Sequence, residues 1–415
     1  MKRILFAIIA AAVGTAAAAQ PLSYGEYMEK VYAGNIGYAG ERLNVPIAEA
    51  ELRAAKIFND PSLSLEYSNN DDWNIRMGQG VSAELSKTLS FGKRRAGIEL
   101  AQSEKALAEA LLDDYLRRLR AEATVAYLDA LRARRMAEIE QDAYENIRGL
   151  ADGDSVRMVG GKISEIDALQ SRLEAGVARQ ELLRARTEAR NALVSLSVMM
   201  GGEASVPEEI AGELRCPGRL YSLDELLGAA EEERADLVAA SRSAEVAGRE
   251  LQVVRRERNT DVDVAVGANY NTRVRNEEAP APRFTGFTVG LSVPLRFSNF
   301  NRGAVEAGKL RVQQARKAYE QARAEVRAEV MCNYNDYETA LRRASGYDGE
   351  LMARAKRVLE GRIYAYRRGE SSLLEVLDAQ RTYNEVCRDY AESLYESMVS
   401  QVKLECSAGV WSLER

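Results

Sequence analysis

The chain has 415 residues, 29% of them charged, and a formal net charge of −6, so it offers no cationic excess for neutralising phosphates and a general nucleic-acid partner is excluded. It contains no histidine, and Cys216, Cys332, Cys387 and Cys406 are too widely spaced for a CxxC-type site. No cofactor, resident metal or catalytic residue is expected, because no loop-borne cluster supplies a nucleophile, an orienting base and oxyanion donors together.

Lys2 and Arg3, an apolar run over 4–13 and the small residues ending at Ala17, Ala18 and Ala19 have the form of a cleavable signal peptide over 1–19. The mature chain is expected to start at Gln20 or Pro21. No cysteine directly follows, so no acyl anchor is expected there. The rest of the chain holds no run approaching the ~20 apolar residues of a membrane-spanning helix.

The first repeat, 20–200, reads as a helix, two strands and a long helical hairpin. Leu63, Leu65 and Tyr67 alternate with Ser62, Ser64, Glu66 and Ser68, and Val81, Ala83 and Leu85 alternate with Ser82, Glu84 and Ser86. A long helix then runs from Lys93 to about Met158 without proline, with the row Leu100, Leu107, Leu111, Tyr115, Leu119 as its apolar stripe.

A linker over 201–226, broken by Pro207, Pro217 and Gly218, leads to a second repeat over 227–409 and a tail over 410–415. The repeats align at an offset of 208 residues, which pairs Gly161 with Gly369, Ser164 with Ser372 and Asp167 with Glu375. Val262, Val264, Val266, Ala268 and Tyr270 form one strand row, and Phe287, Val289, Leu291, Val293 and Leu295 form another. A single helix is expected from Asn301 to about Arg367, with Val312, Ala315, Tyr319, Ala322 and Val326 as its stripe.

Four alternating strands leave two exposed edges, which a membrane interior forbids, so they need partners. Three copies would give about twelve strands, within the range of membrane barrels. The charged helices must project into an aqueous compartment.

The stretch Tyr366-Arg367-Arg368-Gly369-Glu370-Ser371-Ser372-Leu373-Leu374-Glu375-Val376-Leu377-Asp378-Ala379-Gln380, followed by Tyr390, Leu394 and Gly409, resembles the tip signature of the TolC outer-membrane efflux family. Val293-Pro294-Leu295 with Asn299, Asn301, Arg302 and Gly303 resembles that family's strand-to-helix corner; proline and glycine punctuation alone also accounts for it. The resemblance implies a mainly α fold with a β-barrel contribution: a homotrimer forming a twelve-stranded barrel in the outer-membrane lipid of a Gram-negative bacterium, above a periplasmic α-helical tunnel. It also implies docking to a periplasmic adaptor and an inner-membrane pump of an efflux or type I secretion system.

In the same way it implies an acidic constriction at Glu375 and Asp378, braced by Tyr366, Asp167 and Arg367. Solvated acids near a helix start explain the pair as well. Gly161 and Gly369 permit tight turns, with adaptor contact as a second role. Ser371 replaces the basic residue that the family pattern has after the tip glycine, which leaves open how the tip is latched.

Cys332 and Cys406 lie equally far from Gly369 and so could sit at one level; Cys216 is an alternative partner for Cys406, and free thiols are the third possibility. The competing reading for the whole chain is a periplasmic coiled-coil scaffold or adaptor without a channel.

Overall fold

A computed structural model of the chain describes residues 21–71, 76–202, 206–295, 301–347 and 349–411. The expected signal peptide, Asn299 and tail residues 412–415 lie outside them. The first half comprises α1 (Tyr24–Gly34), α2 (Ile36–Arg42), α3 (Asn44–Ala55), β1 (Ser62–Asp71), β2 (Arg76–Leu89), α4 (Lys93–Val159) and α5 (Glu165–Met199). The second comprises α6 (Leu223–Glu233), α7 (Ala235–Arg256), β3 (Val262–Asn271), β4 (Phe284–Ser292), α8 (Arg302–Gly346), α9 (Gly349–Arg368) and α10 (Leu373–Ala408).

The strands pair antiparallel in the order β1-β2-β3-β4. Their register joins the alternating rows read in the sequence: Leu63 faces Leu85, Leu85 faces Val266, and Val266 faces Val289. Ser64, Glu84, Gly267 and Thr288 form the matching row on the other face. The sheet thus has an apolar and a polar side, and its apolar side is exposed at Leu65, Phe287 and Val289. Among the described residues the outer edges of β1 and β4 are unpaired.

Three expectations need correction. The single helix before each strand pair is divided, into α1–α3 and into α6 and α7. Asn35 leaves helical geometry at ψ 118° and caps α2 by accepting from the Tyr38 N–H, while Arg234 is extended at ψ 120° between α6 and α7. The second long helix is also divided: α8 ends at Gly346, Tyr347 is non-helical, and α9 begins at Gly349. Two glycines so close together weaken helix propensity there. Lastly, β4 stops at Ser292, short of Leu295, where Pro294 has no N–H for a ladder.

By contrast α4 is continuous for 67 residues, roughly 100 Å at 1.5 Å per residue. It packs on α3 and α7 toward the sheet, and on α5 and α10 beyond; α10 in turn lies against α8 and then α9. Lys105–Glu49, Arg249–Glu99 and Arg388–Glu140 ion pairs tie α4 to α3, α7 and α10. Of its predicted stripe, Leu119 is buried but Leu111 is exposed, because the inner face is narrow and rich in alanine (Ala101, Ala110, Ala123, Ala130).

Midway along the helices a girdle gathers the chain start, the linker and the C-terminal end. Leu22 forms a parallel bridge with Ile210, and the Tyr127 hydroxyl donates between the carbonyls of Leu22 (2.9 Å) and Ala211 (2.6 Å). Gly34 and Gly201 meet so closely that a Cβ on either would strike the other segment's backbone. In the second half, the Tyr337 hydroxyl donates to the Arg219 carbonyl at 2.6 Å, and buried Arg234 donates to Asp236, Glu329 and the Ser407 carbonyl. Leu404 and Val330 are fully buried between them.

Candidate functional site

At the end opposite the sheet, both hairpins reverse by the same device. Gly161 at φ +68° and Gly369 at φ +83° occupy the left-handed region, which favours glycine. The following N–H groups reach back to close each helix: Lys162 donates to the Arg157 carbonyl and Glu370 to the Ala365 carbonyl, both at 2.9 Å. Ser164 and Ser372 then cap α5 and α10, accepting from the N–H groups of Asp167 (3.1 Å) and Glu375 (3.3 Å). Asp167 and Glu375 therefore hold equivalent third positions, where the helix dipole favours an acid.

Their side chains have different partners. Asp167 accepts from Ser164 Oγ at 2.8 Å. The Glu375 carboxylate accepts from Ser371 Oγ and from Arg362 Nη1 at 3.1 Å, and the serine bond above all holds its carboxyl below the ordinary carboxylate range. Asp378 is exposed three residues further along α10, on the same face as Glu375. Two acids on one helix face can concentrate negative charge wherever copies of that face converge.

Tyr366 is buried, and its hydroxyl donates to Asp154 Oδ1 at 3.0 Å, joining α9 of the second hairpin to α4 of the first. The Arg157 guanidinium sits 4.8 Å from the ring centroid and 3.5 Å from the same Asp154 oxygen. Burial first and the Asp154 bond second push the Tyr366 phenol up to about 12. Leu150, Ile363, Leu373, Val376 and Leu377 surround the ring. Asp154 is 1% exposed, and its Oδ2 has no hydrogen-bond partner among the described residues. Arg367 is exposed beside this cluster and makes no ion pair among the described residues.

The structure thus brings Tyr366 to Asp154 and Arg157, while Asp167 serves its own helix cap. Sequence reasoning missed Asp154, Arg157 and Arg362. The repeat offset held a usable signal: it equates Asp154 with Arg362, a reversal of charge at otherwise matching positions. The reversal lets the second hairpin pair Arg362 with Glu375 internally, whereas the first hairpin's acid is left to receive Tyr366.

All four cysteines are free thiols: Cys216 and Cys332 are exposed, and Cys387 is buried with Ile139 and Ala391. Cys406 accepts from Arg117 Nη1 at 3.2 Å, and burial pushes its thiol pKa up.

The sequence model of the outer membrane efflux protein family matches residues 42–202 and 226–410. The cobalt-zinc-cadmium resistance protein CzcC of Cupriavidus metallidurans is 25% identical over 370 residues, 88% of this chain and 84% of that protein. Among solved structures, CusC superposes with a TM-score of 0.75 at 18% identity, over 93% of this chain and 92% of that one. The outer membrane protein VceC of Vibrio cholerae does so with a TM-score of 0.72 at 17% identity, over 93% and 96%. At those identities the structural likeness is one of fold, and the match across both halves supplies the kinship: this chain belongs to the outer membrane efflux protein family.

Proposed function

We propose that three copies of this efflux channel join their sheets into a twelve-stranded barrel in the outer membrane and their helices into a periplasmic tunnel. The observation that carries this reading is the two-faced sheet with unpaired edges, set at one end of helices that extend roughly 100 Å. An isolated sheet of this kind leaves backbone groups unsatisfied in lipid, and closure with further copies removes the edges. Export through a signal peptide over 1–19, and the division into repeats over 20–200 and 227–409 joined by 201–226, belong to the same reading.

At the far end, Glu375 and Asp378 form an acidic constriction that favours cations through concentrated negative charge. Tyr366 braces it through Asp154 and Arg157, and Asp167 and Arg367 flank the closed tip. Gly161 and Gly369 shape the turns that meet a periplasmic adaptor, through which an inner-membrane pump delivers solute. CzcC's name ties that relative to cobalt, zinc and cadmium. Divalent cations suit a constriction lined by carboxylates, so they are the first solutes to try.

Single-channel recording in a planar bilayer tests the reading, comparing wild type with Glu375→Ala/Asp378→Ala over a range of divalent-cation concentrations. The expected result is a small, cation-selective, divalent-blocked current that grows and loses selectivity in the double variant. A conducting wild type indifferent to both substitutions moves the constriction elsewhere. Absence of current from folded protein, or its extraction without detergent, brings the coiled-coil scaffold forward.

A further inference from the structure

The end of the sheet nearest the helices carries a feature that conduction does not use. Along the apolar face of β2 the side chains run Val81, Ala83, Leu85, Lys87, Leu89, and their register partners on β3 are Tyr270, Ala268, Val266, Val264 and Val262. Between the levels of Leu89 and Gln79, Lys87 is the one charged residue of this face among the described residues, and it lies level with Val264 and Leu291. The β3 row spans about 26 Å of strand at ~3.3 Å per residue, or about 20 Å of height at a tilt of ~40°. Lys87 therefore falls a few ångströms inside the edge of the apolar band, a depth at which lysine reaches back to the headgroup level.

Its surroundings are built for an anion. Phe58, in the segment before β1, is an exposed aromatic ring with the Lys87 ammonium 6.0 Å from its centroid and the Arg94 guanidinium 3.7 Å away on α4. Arg94 donates to the Lys56 carbonyl at 2.7 and 3.2 Å, which fixes its guanidinium against that ring. Neither Lys87 nor Arg94 has a carboxylate partner among the described residues. Over the described parts of 55–62, 86–96, 254–263 and 291–303, nine lysines and arginines face four carboxylates. At the sheet's other end, over the described parts of 69–80 and 270–284, four cations face three carboxylates. A chain that is acidic as a whole is thus basic at one end of its sheet.

We propose that Phe58, Lys87 and Arg94 form a binding site for the phosphate of an anionic phospholipid in the leaflet on the helix side, with Phe58 set among its upper acyl carbons. The site rests on the reading of the sheet as part of a membrane barrel. Surface cations attract anionic lipid electrostatically, and an aromatic ring at the same level fixes depth. Arg255, Arg256 and Arg258, just before β3, extend the basic collar around the chain.

Native mass spectrometry of the full-length protein in detergent tests the site, by titration with phosphatidylglycerol or with phosphatidylcholine of the same acyl chains. Wild type is expected to retain phosphatidylglycerol preferentially and to lose that preference as salt is raised. Lys87→Gln/Arg94→Gln should weaken phosphatidylglycerol retention roughly 25-fold, about fivefold per charge, and leave phosphatidylcholine unchanged; Lys87→Arg should keep the preference. Equal retention of the two lipids by wild type overturns the proposal, as does a double variant that keeps the full preference. Should the double variant fail to fold, the wild-type lipid comparison and its salt dependence decide alone. Conductance of the same preparations separates the two readings: a channel without lipid preference removes only the site, and lipid preference without a channel removes only the tunnel.

Discussion

The girdle and the tip are assembled from the same two hairpins, yet they are held in opposite ways. In the girdle, buried tyrosines and Arg234 clamp backbone carbonyls from the linker and the C-terminal helix, and fully buried Leu404, Val330 and Val402 fill the space between. The tip has one small cluster around Tyr366, a buried acid with an unsatisfied oxygen, and a rim of exposed apolar side chains at Val156, Val159, Ile166, Leu169 and Leu374. Backbone acceptors cannot be exchanged without unfolding, whereas a tyrosine-to-carboxylate bond can part and re-form. The girdle thus adds backbone acceptors to its carboxylates (Asp236, Glu329 and Glu405), whereas the Tyr366 bond that joins the two hairpins at the tip ends on a carboxylate alone.

The contrast is broken most severely from the girdle. Leu404→Ala should destabilise the fold by about 2–5 kcal/mol, the range for emptying a fully buried leucine site, with a clear fall in the thermal unfolding temperature. Conductance per surviving channel should not change. If the variant instead opens the channel without loss of stability, the division between middle and end is wrong.

Tyr366→Phe acts on the other side of the comparison. It deletes the bond to Asp154 and leaves a buried carboxylate with Arg157 alone, a change of about 1–3 kcal/mol confined to the tip. Faster hydrogen exchange near the ends of α4 and α9 and a higher open probability are expected, with global unfolding little altered. Equal exchange in both proteins would deny Tyr366 a bracing role.

Alkaline pH should reproduce part of that effect. The Tyr366 phenol is raised to about 12, so the folded tip holds its proton more tightly than an unfolded tyrosine with a pKa near 10. That stabilisation is complete below about 10 and is lost as pH rises from there through about 12. Tip hydrogen bonding should therefore weaken over that interval, and Tyr366→Phe should abolish this component in a pH series of channel opening.

Ser371→Ala is the mildest change. Without the serine donor the Glu375 carboxyl should titrate at higher pH than in wild type, with Arg362 still lowering it. Because a depressed carboxyl gives its stabilisation above the unfolded pKa and loses it as pH falls through the folded one, the acid-induced change should begin at higher pH in the variant. An unchanged acid limb would mean that Ser371 does not hold Glu375 in the assembled channel.

Much of this architecture was readable because alternation and length are local signals. Leu63, Leu65 and Tyr67 announce a strand without reference to anything distant, and the proline-free stretch after Lys93 announces a long helix. The break between α8 and α9 was harder to see, since Gly346 and Gly349 look tolerable one at a time inside a strong helical pattern. Leu111 shows a related limit: on a helix packed through alanines, a leucine at the expected spacing can face outward. At the tip, Glu375 and Asp378 were visible as a spaced pair on one helix. Asp154 was not, since its meaning depends on a tyrosine 212 residues away in another hairpin.

The unpaired outer edges of β1 and β4 also bear on inheritance. In the barrel proposed above, a sheet that cannot satisfy its own backbone in lipid would make each polypeptide's membrane entry depend on its neighbours, so a defective copy would not fail alone. In the proposed trimer, with half of the chains defective at an edge, only about one assembly in eight would be wholly sound. Edge mutations in this protein should therefore behave as dominant in a cell that also makes the intact chain, whereas losses of expression should be recessive.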